Sequence, residues 1–235
     1  MPGYRVKRQT VSVGDMHFVM HSLLDPDQYH DPDGAALALG IDEDSWALFG
    51  QVWPSGMVLA NALLGLDLHG KRVLELGAGL ALASLVAHRR GADVTVSDYH
   101  PLIPTFLADN ARLNKLTPPR YRALDWEDCP DDFGRFDLII GSDLLYHAEH
   151  PMALANVIDL LSADQVDVLL VDPDRGLSPS FCQEMIALEY NAHVEDAGCV
   201  LANGEAYVGS LLRFRRDDDA LPAVHGRPHE LPIHA

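Results

Sequence analysis

The hydrophobic and polar positions of this chain switch repeatedly between two periods, and the switches divide it into short elements. Val6, Val11 and Val13, then His17-Phe18-Val19-Met20, lie on either side of Gly14-Asp15. Two β-rich runs around such a pair predict a hairpin. Residues Asp25 to Asp33 are rich in Asp and Pro and predict a loop. Between Asp44 and Leu66 the apolar positions Met57, Leu59, Ala60, Leu63 and Leu64 predict a helical segment. Apolar runs at 73–76, 94–98, 121–124, 136–141 and 166–171 then predict buried strands, the fourth so continuously apolar that both its faces must be covered. Helical periods fall between and after them, at 80–90, 102–116 and 151–161 and around Phe181, Met185, Ile186 and Leu188. Strands alternating with helices predict an α/β fold with a doubly wound sheet. Residues 198–201 and 206–214 flank Asn203-Gly204 and predict a second, C-terminal antiparallel hairpin that closes the sheet.

Composition narrows this picture. At 235 residues and 48% hydrophobic content the chain can bury one sizeable core, and it lacks a twenty-residue apolar run of the kind that spans a membrane. The expected organisation is an N-terminal hairpin and loop packed on the core (1–45), a central domain (46–215) and a disordered tail rich in Asp, Pro and His (216–235). Met1 to Thr10 is basic and polar, unlike a secretory signal. Cys129, Cys182 and Cys199 form neither a disulfide framework nor a metal-ligand spacing, so buried or half-buried thiols and a cytoplasmic location are expected. A formal net charge of −18 opposes nucleic-acid binding and suits a basic partner. No coiled-coil pattern appears, so a monomer is the default.

The candidate chemistry starts at Glu75-Leu76-Gly77-Ala78-Gly79, a buried strand running into a glycine turn under a helix, with Asp98 ending the next strand. Glycines there let a ligand lie against the backbone, and Asp98 is placed to accept hydrogen bonds from two ribose hydroxyls. A dinucleotide fingerprint would need a third glycine at position 82, which is Leu82. A nucleoside ligand without a pyrophosphate fits better, and S-adenosylmethionine is one. On Glu75-Leu76-Gly77-Ala78-Gly79 and Asp98 the chain resembles the class I (seven-β-strand) S-adenosylmethionine-dependent methyltransferases, whose fold is Rossmann-like.

Further segments carry a closer resemblance, to the protein lysine methyltransferases of methyltransferase family 16. They are Val52-Trp53-Pro54-Ser55-Gly56, Leu124-Asp125-Trp126, and the Asp-x-x-Tyr of Asp143-Leu144-Leu145-Tyr146. The resemblance implies cofactor-binding roles for Trp53, Glu75, Gly77, Ala78, Gly79, Asp98, Asp125, Trp126 and Ser142, and catalytic roles for Asp143 and Tyr146. From the residues alone, Trp53 and Trp126 could instead be packing residues, Asn110 a polar residue on an exposed or capping turn, and Asp143 and Tyr146 an N-cap and a buried tyrosine opening a helix. His147 and His150 invite a metal, but no distant Cys or His completes a ligand set, so none is expected. Where the family usually has another glycine, this chain has Ala81. The implied activity is methyl transfer to a protein lysine. A small-molecule methyltransferase and an inactive cofactor-binding module are the alternatives, and a dehydrogenase is more distant.

Overall fold

A computed structural model describes residues 3–201 and 204–217. The chain opens with the expected hairpin, β1 (Val6–Val13) and β2 (Met16–Leu23), paired antiparallel across Gly14-Asp15. After a loop come the single-turn α1 (Glu43–Trp46) and α2 (Pro54–Ala62). The stretch from Glu43 to Gly65 has the length and mean hydropathy of a membrane span. Trp53 nevertheless interrupts it with extended backbone (ψ 143°), as its place before proline demands, and Trp46, Phe49, Leu59 and Leu63 are buried in the core.

The central sheet follows in alternation: β3 (Arg72–Leu76), α3 (Leu82–Arg89), β4 (Asp93–Asp98), α4 (Ile103–Leu113), β5 (Arg120–Ala123), β6 (Phe136–Ser142), α5 (His150–Leu161), β7 (Ser162–Asp172) and α6 (Ser178–Ala187). Last come β8 (Asn191–Asp196), β9 (Cys199–Val200), β10 (Ala206–Tyr207) and β11 (Ser210–Arg216). Seven strands form one sheet in the order β5-β4-β3-β6-β7-β11-β8, the first five parallel and β11 antiparallel to both β7 and β8. The chain runs outward from β3 to β5 and then returns to the other side of β3 as β6. A crevice therefore opens above the carboxyl ends of β3 and β6, where ligands bind in such sheets.

The closing pair differs from the expected one. Residues 199–200 and 206–207 form only a small separate ladder, and β11 pairs instead with β8, whose Asn-Ala-His-Val-Glu-Asp is largely exposed and has only Ala192 and Val194 as apolar positions. Arg216, expected in the tail, belongs to β11 opposite Val166. Asn203 and the tail from 218 to 235 lie outside the described residues. Cys129 and Cys182 are half-buried, whereas Cys199 is exposed, contrary to the expectation for all three.

The hairpin is bound into the core rather than laid over it. Val13, Phe18, Met20 and Leu23 are fully buried, and two asparagines of the α4 segment pair with the free edge of β2. Asn110 Oδ1 accepts from His21 N–H at 2.7 Å and its amide donates to the His21 carbonyl at 3.3 Å. Asn114 does the same for Val19, at 2.8 Å both ways. Asn110 is thus fully buried and neither exposed nor a cap.

Candidate active site

The crevice is a cleft of about 520 Å³. All eleven residues singled out from the sequence line it: Trp53, Glu75, Gly77, Ala78, Gly79, Asp98, Asp125, Trp126, Ser142, Asp143 and Tyr146. The turn after β3 explains its own sequence. Gly77, Gly79 and Ala81 all have left-handed backbone, with φ of 54°, 51° and 58°. A Cβ at Gly79 would stand 3.0 Å from the Phe49 carbonyl oxygen, and one at Gly77 would meet the Leu144 side chain at 2.5 Å. Glycine is favoured at both by conformation, and at position 79 also by the close Phe49 backbone. Ala81 adopts the same conformation with a side chain, at a cost of about 1–2 kcal/mol, and so gives a physical reason for the glycine that the family usually carries there.

Two carboxylates hold this turn from below. Asp98 is 8% exposed; its Oδ2 accepts from Gly79 N–H and its Oδ1 from His100 N–H, both at 2.9 Å. Burial raises its pKa against the lowering effect of those two bonds. Glu75 is 3% exposed and accepts from Ser84 N–H at 2.9 Å. Burial first, helped by the nearby Asp98 charge, raises its pKa to about 7. Both carboxylates sit on the cleft floor.

Around them the wall is aromatic. Trp53 donates its indole N–H to the Leu48 carbonyl at 2.8 Å, which fixes the ring at the cleft's edge. Trp126 packs edge-on to His150 at 5.4 Å between centroids, and Tyr146 does so at 4.5 Å. His150 Nδ1 lies 2.7 Å from the Leu144 carbonyl, so this nitrogen carries the proton and donates it. Asp125 Oδ1 accepts from Glu127 N–H at 3.0 Å, which curls the chain after β5 so that Trp126 lines the cleft.

Asp143 and Tyr146 occupy neither of the two structural roles weighed for them. The next helix begins only at His150, so Asp143 caps nothing, and Tyr146 is 41% exposed on the connecting loop. Partial burial, with the negative charges around Tyr99 and Asp98, raises the Tyr146 pKa to about 12, so the hydroxyl keeps its proton at neutral pH. Asp143 has left-handed backbone (φ 61°) and its carboxylate is gripped by Arg175.

Four further lining residues, Gln51, Tyr99, His100 and Arg175, have no assigned role in the sequence patterns. His100 accepts from Leu102 N–H through Nδ1, stacks on Phe49 at 3.9 Å, and is pushed by burial to a pKa of about 4, so it is neutral. Its Nε2 and the Gln51 Nε2 are buried with no partner among the described residues. Such orphaned donors in a cleft wall are free for a ligand. The signal for Arg175 was present in Asp172-Pro173-Asp174-Arg175-Gly176 at a strand end, but its partner lies 32 residues earlier.

Residues 35–184 match the family model described as lysine methyltransferase. The chain is 39% identical over 128 residues to the protein N-lysine methyltransferase METTL21A of Danio rerio, a match covering 51% of this chain and 58% of that protein. It is 36% identical over 145 residues to the METTL21A of Xenopus tropicalis, covering 59% and 67%. Among solved structures, the ribosomal protein L11 methylase from Lactobacillus delbrueckii subsp. bulgaricus superposes with a TM-score of 0.59 at 16% identity, over 88% of this chain and 98% of that one, a likeness of fold. With the family model spanning well over half of its length, the protein belongs to the lysine methyltransferase family.

Proposed function

We propose that the protein is an S-adenosylmethionine-dependent methyltransferase whose acceptor is a lysine side chain of another protein. The observation that carries this is the charge of the cleft. Glu75, Asp98, Asp125 and Asp143 stand at the carboxyl ends of β3, β4, β5 and β6 around one glycine turn. Such a floor offers acceptors to a ligand with hydroxyls, amino groups and positive charge, and repels a pyrophosphate. The similarity to protein N-lysine methyltransferases supports the choice of acceptor.

When bound, S-adenosylmethionine supplies an electrophilic methyl group on a sulfonium. The residues that would hold it are the turn at Gly77 to Gly79, which leaves its backbone open, Asp98 for the ribose hydroxyls, Asp125 and Trp126 for the adenine, and Glu75, Trp53 and Ser142 as the surrounding wall. Asp98 has acceptor capacity to spare, since each oxygen receives one backbone N–H and has a second lone pair. Asp143 orients the acceptor amine, and Tyr146 walls the site and presents a protonated hydroxyl. The amine loses its proton to solvent before it attacks, so rate arises from alignment and desolvation rather than from covalent help.

The test is calorimetric titration with S-adenosylmethionine, S-adenosylhomocysteine and NAD, on the protein and on Asp98→Ala. The first two should bind, NAD should not, and the substitution should weaken binding by about a hundredfold or more, the loss of a charged hydrogen-bonding group. Radiolabelled cofactor should then leave methyl-lysine in hydrolysates of acceptor protein. Label found only in small molecules would reject the proposed acceptor.

A further inference from the structure

Among the described residues lining the cleft, Arg175 is the only lysine or arginine, and it stands on the carboxylate assigned above to the acceptor amine. Its Nη1 donates to Asp143 Oδ1 and its Nη2 to Oδ2, the latter at 3.2 Å. Both partners are held from behind. The Asp143 side chain is 13% exposed, and the Asp143 N–H donates to the Val171 carbonyl at 2.8 Å, tying the loop after β6 to the end of β7. The loop carrying Arg175 is anchored by Asp172, 2% exposed, which accepts from the Ser178 hydroxyl and, at 2.9 Å, from Asp174 N–H. Asp174 in turn accepts from the Ser210 hydroxyl at 3.1 Å. The arginine is thus delivered to Asp143 by two pinned loops.

A lone carboxylate would bind an alkylammonium and stabilise its charge, which keeps the nitrogen lone pair in an N–H bond and unavailable for attack. With the guanidinium in place, an arriving ammonium meets a like charge beside the carboxylate, which offsets much of the carboxylate's attraction. A neutral amine meets no such repulsion. It can still donate an N–H to a lone pair of Asp143 that Arg175 leaves free. We propose that Arg175, by neutralising Asp143, sets the charge state in which the cleft takes its acceptor, admitting the neutral amine and turning away the ammonium. This deepens the proposed function and rests on it.

Other titratable groups face the pair. Lining the same cleft are Tyr146, Glu149 and His150 from the segment after β6, and Glu75, Asp98, Tyr99, His100, Asp125 and Glu127 from the carboxyl ends of β3, β4 and β5 and the segments after them, with Asp172 and Asp174 on the loop of the arginine. Between pH 8 and 10 Glu75, with its pKa near 7, is already ionised, while Tyr146 stays protonated and His150 neutral. All are common to the native protein and an Arg175 variant, so a difference between the two belongs to the arginine.

The experiment titrates n-butylamine, a lysine side-chain mimic, into protein saturated with S-adenosylhomocysteine, read by the methyl shifts of Leu144 in the cleft wall. If only neutral amine binds, apparent affinity rises roughly seventyfold from pH 8 to 10, following the neutral fraction of an amine with a pKa of about 10.4. Arg175→Met should show less than a twofold change over the same range, and Arg175→Lys, which retains the charge, should keep the rise. A flat profile for the native protein, a rise in Arg175→Met as steep as the native one, or no Leu144 shift in the native protein at any pH would each overturn the proposal. Failure of S-adenosylhomocysteine to bind is read separately, in the loading step, and would overturn the proposed function instead.

Discussion

The junction between α4 and β2 and the cleft above β3 and β6 both bury polar groups, and they do so in opposite ways. At the junction, Asn110 and Asn114 return a donor and an acceptor to each backbone residue they face, so the His21 and Val19 backbone groups are paired by neutral amides. At the cleft, Glu75 and Asp98 are almost as deeply buried but carry titratable carboxylates, the Gln51 and His100 side-chain donors have no partner among the described residues, and the backbone is left-handed at Ala81 and Asp143. Neutral amide pairs add stability wherever the geometry allows them. Buried carboxylates, orphaned donors and strained backbone reduce it, and persist where a ligand or reaction makes use of them. The cleft is set apart by gathering two buried carboxylates, two orphaned donors and a left-handed glycine turn into one place.

The largest expected effect tests the unfavourable side. Glu75 has a folded-state pKa of about 7, above its ordinary carboxylate value. The folded state keeps a proton that the unfolded state has already lost, so this group's contribution is full below the ordinary carboxylate pKa. It falls as pH rises towards 7 and is level above that. Glu75→Gln removes the titration and keeps an oxygen for Ser84 N–H. Urea unfolding should show the variant gaining on the native protein by about 3 kcal/mol between pH 4.5 and 7.5. An unchanged difference between the two would place Glu75 with the junction asparagines as a settled polar group.

A smaller effect, of opposite sign, is expected at the junction. Asn114→Ala strands the Val19 N–H and carbonyl, and should lower unfolding free energy by about 2 kcal/mol. It should leave affinity for S-adenosylhomocysteine within about twofold, since nothing in the cleft depends on it. Coupled loss of both would dissolve the distinction between the regions.

The smallest concerns Ala81. Replacing it with glycine relieves the left-handed strain at φ 58° but gives the unfolded chain more freedom, leaving a net gain of about 0.5–1 kcal/mol. Thermal unfolding at fixed pH resolves a change of that size, and a loss would mean that the Ala81 methyl packs well enough to outweigh its conformation.

Much of this was legible in the sequence where one element carries its own signal. The glycine turn, the acidic strand ends and the alternation of apolar runs are local patterns, and the residues they single out line one cleft. What escaped depends on pairing across distance. Arg175 meets Asp143 only because β6 and β7 are neighbours in the sheet, and Asn110 meets His21 only because the hairpin packs on α4. β8 escaped for a different reason: as an exposed edge strand it has only Ala192 and Val194 as apolar positions, too short a pattern to mark a strand.

The position of β11 bears on the order in which the molecule is assembled. It is the last of the described strands, yet it lies inside the sheet, between β7 and β8. During synthesis the five parallel strands and the cleft above them can form their ladders once Asp172 has emerged, whereas β8 leaves the ribosome with no strand to join until residues 210–216 follow it. For that interval β7 presents an open edge, the kind of surface on which nascent chains pair wrongly. Closing that edge falls to residues 210–216, synthesised well after the strand that they cover.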